Sequence, residues 1–230
     1  MRIGEIWRYP VKSLGGEQLE SAYVGEHGIT GDRLWGVRDV DTGLVLTARR
    51  EPGLLFLSAS YRDGERPRIT TADGVDVADD AALSRHLARP VELVPAAAGP
   101  ATFENPLDID TESDWVQWQS AGHTFHDGRS TVSLVSTASI GEWHSRRFRA
   151  NLVIDGAGED DLTGDVVIGS TTLTIRKPIS RCVMVTRAQP GIERDLAILK
   201  RIIAERSNLM GVGCVVTTPG HITIGDPVPT

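Results

Sequence analysis

The chain has 230 residues, of which 40% are apolar and 24% are charged, so it buries a core as one large or two small domains. This composition excludes a disordered chain, a collagen-like repeat and a coiled coil. The net charge of −7 argues against binding to nucleic acid or to an anionic membrane, because both need an excess of cations. We expect a cytoplasmic protein, since no apolar run is long enough to cross a bilayer and the N-terminus lacks a secretory pattern.

Short β-type segments separated by turn signals predict a mainly β protein with a few helices (α+β). The predicted strands are residues 1–7, 34–39, 43–47, 53–61, 91–94, 151–154, 165–168, 172–176 and 183–186. Residues 214–217 and 221–225 are predicted to pair as a hairpin, because alternating β-branched residues flank a Pro-Gly turn.

Three helices are predicted: residues 81–87, a segment that begins at 136–139 with a hydroxyl as N-cap, and residues 192–207. In the last helix, apolar residues recur at spacings of four, three and four: Ile192, Leu196, Leu199 and Ile203. This period predicts that all four share one buried face.

The composition changes between Pro95 and Asp114, where three prolines and several acids occur with little periodicity. We therefore predict a linker or long surface loop at 96–114. It would separate an N-terminal β domain, residues 1–95, from a second domain, residues 115–230.

Only two cysteines occur, Cys182 and Cys214, and a single pair cannot form a dense disulfide framework. Two cysteines and six scattered histidines also lack the spacing of a structural zinc site and the four thiolates of an iron–sulfur cluster. The neighbouring Arg181 and Lys177 would favour the thiolate of Cys182, the form that binds soft metals. The alternative is a small buried hydrophobe, as we expect for Cys214.

The basic residues suggest anion sites, and only three of the 24 are lysines. Lys12 and Ser13 lie beside Gly15 and Gly16, so a cation and a hydroxyl meet flexible backbone that could hold a phosphate. The alternative is a solvated lysine at the end of a strand. Arg33 follows a tight polar turn, where it could bind an anion bidentately or pair with a neighbouring aspartate.

Three arginines crowd into Arg146-Arg147-Phe148-Arg149-Ala150-Asn151. In an acidic protein such a cluster favours an anion site, although a solvated loop remains the alternative. Strand alternation would put Arg147, Arg149 and Asn151 on one face, with Arg146 and Phe148 on the other. Asp127, between a histidine and a glycine, could be a general acid or base or an ordinary turn residue.

Six segments, in this order, resemble MOSC-domain proteins: Tyr9-Pro10-Val11-Lys12-Ser13-Leu14, Gly31-Asp32-Arg33, Thr47-Ala48-Arg49, Phe148-Arg149-Ala150-Asn151, Ser180-Arg181-Cys182 and 220–228. The chain is similar over nearly its whole length to the arrangement of an N-terminal MOSC β-barrel domain and a MOSC domain, as in the mitochondrial amidoxime-reducing component and its bacterial relatives.

This resemblance implies a molybdenum cofactor, a pterin whose dithiolene binds molybdenum and whose tail ends in a phosphate. By analogy, Cys182 is the thiolate ligand of molybdenum, and Lys12, Ser13 and Arg33 hold the phosphate. Arg149 and Asn151 contact the pterin, and Arg181 supports the thiolate and the anionic cofactor. Arg147 is also expected to bind the cofactor. Asp127 would relay protons at the open face of the metal.

The resemblance further implies an oxidoreductase that reduces N-hydroxylated compounds, such as amidoximes and hydroxylamines. Because the chain lacks cysteines for an iron–sulfur cluster, a separate electron-donor protein is expected. The alternative is a carrier of sulfur or of the molybdenum cofactor, in which Cys182 holds a persulfide. Ile179 replaces a thiol found in relatives, which favours metal ligation, and pyridoxal phosphate is not expected because no room remains for its domain.

Overall fold

The computed structural model describes residues 1–229 except 63, 109–112, 121–122 and 127–129. The strands are β1 Arg2–Arg8, β2 Glu17–Leu19, β3 Ser21–Gly25, β4 Gly28–Ile29, β5 Trp35–Asp39, β6 Leu57–Ser60, β7 Arg68–Thr71, β8 Val91–Pro95, β9 Thr102–Asp108, β10 Ser113–Gln119, β11 Val132–Ser136, β12 Leu152–Asp155, β13 Asp165–Ile168, β14 Thr171–Ser180, β15 Leu209–Thr218 and β16 Gly220–Thr223. The helices are α1 Asp80–Leu87, α2 Thr137–Ile140 and α3 Ala197–Arg206. Strands predominate, which confirms the mainly β fold.

The largest sheet has seven strands in the order β13-β14-β15-β11-β12-β1-β2. Only β11 and β12 run parallel, and all other neighbours are antiparallel. Alternate residues of these strands, such as Ile3, Leu134, Leu152 and Ile154, are fully buried in one core. The sheet therefore joins the first strands of the chain to strands from its second half.

The smaller sheets lie mostly in the first half of the chain. Two pairs, β5–β8 and β6–β7, pack with α1 around a second core that includes Val11, Val37 and Leu57. The sequence between β1 and β2 reaches this core through Val11 and Leu14, both fully buried. The segment that begins at Lys12 is therefore held between the two halves of the chain.

Several predicted elements are confirmed. Helix α1 begins where the side chain of Asp79 accepts a hydrogen bond from the amide of Ala82. The N-cap of α2 is Ser136, whose hydroxyl accepts from the amide of Ser139 at 3.1 Å. The predicted strand at 43–47 is wrong, since only Val45 forms an isolated bridge there. The predicted strand at 53–61 is correct only from Leu57, because the residues before it form a 3-10 turn.

The predicted strand at 183–186 is wrong, because these residues form a 3-10 turn directly after Cys182. The amide of Val185 donates to the carbonyl of Cys182 at 3.2 Å, and the Thr186 hydroxyl donates to that of Val183 at 2.8 Å. These local bonds and burial of both valines outweigh the β preference of branched side chains.

The last helix is shorter than predicted, and only two of the four residues predicted to share one face, Ile192 and Leu199, are buried. Helix α3 begins at Ala197 and buries Ile198, Leu199 and Ile202. Leu196 and Ile203, predicted to face the core, are 53% and 43% exposed. The predicted apolar face began at Ile192, in a turn before the helix, so the four residues do not lie on one continuous helical surface.

The predicted C-terminal hairpin is also wrong, because β16 pairs with β3 rather than with β15. Strand β15 lies between β14 and β11 in the large sheet. At Gly220 the backbone passes so close to Ser170 that a Cβ would lie 2.3 Å from its carbonyl oxygen. The chain crosses there to a three-stranded sheet, where Ile222 is fully buried.

The segment 96–114 is not an irregular loop throughout, because it contains β9, which pairs with β10 as an antiparallel hairpin. Phe103 of this hairpin is buried against Phe125. The division of the chain into two domains at this segment stays a prediction.

Within the described residues, every helix is too short or too polar to span a bilayer.

Candidate functional site

A cavity of about 450 Å³ lies where the two halves of the chain meet. Its described lining contains seven basic side chains and one thiol: Lys12, Arg33, Arg49, Arg147, Arg149, Lys177, Arg181 and Cys182. No aspartate or glutamate is among the described lining residues. An acidic protein has therefore gathered positive charge on one concave surface, which favours an anionic ligand.

The turn after β1 contributes Lys12 and Ser13, both more than 90% buried. The Lys12 ammonium donates to the carbonyl of Phe125 at 3.0 Å and lies 4.3 Å from the ring centre of Phe103. These contacts, with Phe103 of the β9–β10 hairpin and with Phe125 after it, fix the lysine inside the cavity. Burial of its charge favours a site in which an anion offsets the cost of desolvation.

Arg33 enters the cavity from the start of β5, and its backbone amide donates to the carbonyl of Tyr9 at 2.8 Å. Its guanidinium pairs with the buried carboxylate of Asp32 and also donates to the carbonyl of Arg149 at 3.2 Å. The second oxygen of Asp32 accepts from the Tyr9 amide at 2.7 Å. Asp32 therefore orients Arg33 from beneath the surface and is not itself among the described cavity lining.

The arginine cluster is not a strand, so the predicted alternation of its side chains is wrong. Residues Ser145–Arg147 form a 3-10 turn, and Arg147, Phe148 and Arg149 all line the cavity. Arg149 donates to the carbonyl of Leu14 at 2.7 Å, whereas Arg147 donates to that of Val185 at 3.2 Å. Burial lowers the pKa of Arg147, opposed by the charge of an aspartate on the next loop.

Arg181 and Cys182 follow β14 directly. The guanidinium of Arg181 donates from Nε to the carbonyl of Met210 at 2.8 Å and from Nη1 to that of Phe148 at 3.0 Å. Burial lowers the pKa of Arg181 to about 10, although the nearby Cys182 and Glu159 act in the opposite direction. Cys182 is half-buried at the cavity, whereas Cys214 is fully buried in the core.

Backbone strain is concentrated at the cavity. Four described lining residues other than glycine have positive φ angles: Ser13 (69°), Arg33 (51°), Arg149 (51°) and Asn208 (63°). This left-handed conformation costs energy for residues with a side chain, and it persists where the surrounding structure enforces it. Such strain is typical of functional sites.

Two polar atoms at the cavity are buried without a hydrogen-bond partner among the described residues, Arg181 Nη2 and Asn208 Oδ1. Gly211, with φ of 75°, packs against the first, since a Cβ there would lie 2.8 Å from Arg181 Nη2. Buried polar groups are normally paired, so these atoms indicate a missing partner that carries both acceptors and donors. A pterin with an anionic tail and a soft metal fits this donor set together with the thiol.

Two predicted site residues are not among the described cavity lining. Asn151 accepts from the Ser133 amide at 3.1 Å and donates to the Trp7 carbonyl at 3.2 Å, so it connects three strands of the large sheet. It accordingly does not line the cavity. Asp127 lies outside the described residues, but the preceding His126 lines the cavity with Nε2 3.4 Å from a carboxylate oxygen of Asp32.

Sequence reasoning missed three residues that line the cavity. Arg49 lies in one of the motifs that carry the resemblance, yet no role was assigned to it. Asn208 follows α3 in a left-handed turn, and nothing in the sequence distinguishes it from an ordinary helix terminus. The sequence places His126 next to Asp127, close enough to orient a neighbouring group, but does not identify it as a lining residue. Lys177 was considered for its effect on Cys182, and the structure places it on the cavity lining as an exposed side chain.

Fold and site together define a mainly β protein with a strongly basic cavity around a single accessible thiol. Residues 1–116 match the MOSC N-terminal beta barrel domain and residues 120–229 match the MOSC domain. The chain therefore belongs to the MOSC family.

Comparison with known proteins finds relatives over nearly the full length of this chain. The chain is 24% identical to the human mitochondrial amidoxime-reducing component 1 and 25% identical to the bovine mitochondrial amidoxime reducing component 2, covering 98% of this chain and 82% of each relative. It is 22% identical to the human molybdenum cofactor sulfurase, over 98% of this chain but 32% of that protein. Among solved structures, the YUAD protein from Bacillus subtilis has a TM-score of 0.45 at 12% identity, covering 99% of this chain and 93% of that chain.

Proposed function

We propose that this protein binds a molybdenum cofactor in the basic cavity, with Cys182 as its thiolate ligand, and that the loaded protein reduces N-hydroxylated compounds. The similarity to two amidoxime-reducing components and to a molybdenum cofactor sulfurase supports a function connected with this cofactor. The observation that carries the proposal is the convergence of seven basic side chains and one half-buried thiol on a cavity whose described lining lacks carboxylates.

Each part of the lining has a proposed task. Lys12, Ser13 and Arg33 hold the terminal phosphate, because they present a buried ammonium, a hydroxyl and an oriented guanidinium. Arg149 contacts the pterin side, and Arg181 uses its unpaired Nη2 toward the anionic group beside Cys182.

Arg147 and Asn151 act less directly in this proposal. Arg147 is committed to backbone carbonyls of the loop after Cys182, so it fixes that loop and adds charge. Asn151 holds β1, β11 and β12 together and thereby supports the chain that leads to Arg149.

The proposed reaction consumes two electrons and two protons, converting an amidoxime to an amidine and water. The bound cofactor would supply the two-electron chemistry, and a separate protein would supply the electrons. The protein orients the substrate and delivers protons at the cavity. Asp127 is the proposed proton relay, next to His126, whose Nε2 faces the buried carboxylate of Asp32.

The test is to produce the chain in a host that synthesises the cofactor and to measure molybdenum and amidoxime reduction with an artificial electron donor. Near-stoichiometric molybdenum and turnover are expected, and Cys182→Ala should abolish turnover. Cys214→Ala is the matched control, because that thiol lies in the core and should not affect either measurement. A protein without molybdenum would contradict the proposal.

A second function is a carrier of sulfur or of the cofactor, in which Cys182 holds a persulfide. The similarity to a molybdenum cofactor sulfurase favours this candidate, and the half-buried thiol could accept sulfane sulfur from the persulfide of a donor protein, whose own thiolate is the leaving group. Molybdenum binding without amidoxime turnover would support the carrier. A persulfide on Cys182 in freshly purified protein would also support it, and mass spectrometry can measure this directly.

A further inference from the structure

The ring of Tyr9 is close to the guanidiniums of two arginines that come from opposite halves of the chain. The guanidinium carbon of Arg149 is 4.3 Å from the ring centre of Tyr9, and that of Arg33 is 5.1 Å from the same ring. Both distances are within the range at which an aromatic ring attracts a cation. One aromatic ring therefore contacts two like charges that would otherwise repel each other.

The Tyr9 ring is itself held rigidly. The residue is 2% exposed, and its backbone amide and carbonyl are bonded to Asp32 and Arg33. A Cβ at Gly16 would lie 2.6 Å from Tyr9 Cδ1, so only glycine allows this close approach of the backbone to the ring. Trp7 stacks nearby, with ring centres 6.2 Å apart.

The phenol hydroxyl does not explain why a tyrosine stands here. It is buried and has no hydrogen-bond partner among the described residues. Burial raises the pKa of Tyr9 to about 12, although Arg149 and Arg33 act in the opposite direction, so the ring is neutral at physiological pH. What Tyr9 offers the two guanidiniums is therefore the negative face of its ring, not an anionic oxygen.

We propose that Tyr9 is a positioning residue of the anion site, whose ring holds Arg33 and Arg149 together so that both can bind one anionic ligand. The inference rests on the proposed function for the identity of that ligand, the phosphate-bearing cofactor. It concerns the arginine pair itself, however, and can be tested with a simple oxyanion.

The experiment measures the affinity of inorganic pyrophosphate for the full-length, cofactor-free protein by calorimetry. Tyr9→Phe keeps the ring and should bind within twofold of the original protein. Tyr9→Leu removes the ring and should bind about tenfold more weakly. Trp115→Leu is the matched control: it removes a ring 4.6 Å from the guanidinium carbon of Arg50, which is not among the described cavity lining, and it should leave the affinity within twofold.

A fluorinated series separates positioning from packing. Replacing Tyr9 by phenylalanine and then by mono-, di- and trifluorophenylalanine keeps the shape of the ring while withdrawing charge from its face. The pyrophosphate dissociation constant should rise with each fluorine. This readout also applies if Tyr9→Leu fails to fold, since the fluorinated rings fill the same space.

A pyrophosphate dissociation constant that stays the same across the fluorinated series, or equal weakening by Trp115→Leu and Tyr9→Leu, would overturn the inference. So would absence of pyrophosphate binding by the unsubstituted protein. If pyrophosphate affinity follows the ring but the protein made in a cofactor-producing host contains no molybdenum, the inference stands and the proposed function fails.

Discussion

The guanidinium of Arg33 donates a hydrogen bond of 3.2 Å to the backbone carbonyl of Arg149, although 116 positions separate the two residues. Arg149 in turn donates to the carbonyl of Leu14, close to the first basic segment of the cavity. Both arginines have a φ of 51°. Segments from the two halves of the chain thus fix one another at the cavity, and neither half would form this arrangement alone.

This coupling predicts the outcome of a double-mutant cycle. Arg33→Gln and Arg149→Gln should each weaken pyrophosphate binding to the cofactor-free protein by about 1.5–3 kcal/mol, the usual cost of losing a hydrogen bond to a charged group. The double variant should lose less than the sum, by at least about 0.5 kcal/mol, because the Arg33 side chain fixes the backbone of Arg149 and its loss already misplaces the second arginine. Arg38→Gln, in a surface pair with Glu92, is the control. Additive losses would contradict the coupling.

Gly211 leaves room for the guanidinium of Arg181 because it has no Cβ. Gly211→Ala should destabilise the protein by about 1–3 kcal/mol and reduce molybdenum retention, because a Cβ would meet Arg181 Nη2 and the Leu134 carbonyl. Gly43→Ala is the control, since its φ of 71° is similar but nothing lies within 4 Å of the new Cβ. Urea unfolding gives stability and metal analysis gives retention. Equal retention in the two variants would rule out the contact with Arg181 as its cause.

Lys177 is an exposed member of the cavity lining, whereas Lys200 is exposed on α3 away from it. Lys177→Gln should weaken pyrophosphate binding two- to fivefold at low salt, with the difference disappearing in about 0.5 M salt because exposed charges are screened. Lys200→Gln should have no comparable effect. Calorimetry at several salt concentrations measures both. An equal effect of the two substitutions would show that only net charge matters.

The buried carboxylate of Asp39 should contribute to the loss of stability in acid. Burial would raise its pKa, but hydrogen bonds from Thr42, with the charge and hydrogen bond of Arg89, lower it below the usual 3.8. A lowered carboxyl pKa stabilises the fold above the usual pKa, and this contribution is lost as the pH falls through the folded value. Asp39→Asn should therefore reduce the free energy of unfolding at pH 7 by about 1–3 kcal/mol.

The same variant should also show a smaller decrease in stability between pH 5 and pH 2, measured by urea unfolding. Asp41→Asn, exposed in the same turn, is the control and should retain the original pH profile. If Asp39→Asn keeps the full decrease in acid, another carboxylate is responsible.

The sequence predicted much of the site because the relevant chemistry occupies short segments with unusual composition. Lys12-Ser13, the arginine cluster and Arg181-Cys182 could each be recognised without coordinates. Their convergence could not, since it depends on contacts such as that between Lys12 and Phe125, which are distant in the chain. Asn208 and Gly211 were equally invisible, because their importance lies in a backbone turn beside Arg181.

The errors in the fold have a common physical origin. The segment 183–186 has β-branched residues, and the helical stripe had the right spacing, but burial by distant elements decided both structures. Strand β16 likewise pairs with β3, near the N-terminus, and not with β15 as the predicted hairpin required. The local sequence pattern predicted where many helices and strands occur. Tertiary contacts determined where these elements end, whether a short segment forms a strand or a turn, and which strands pair.

The most direct test of the account is X-ray absorption at the molybdenum edge of the loaded protein and its Cys182→Ser variant. If Cys182 is the protein ligand, the variant has one sulfur fewer bound to molybdenum, while Cys214→Ala leaves the sulfur count unchanged. An identical set of sulfur ligands in the original protein and in Cys182→Ser would contradict the central claim.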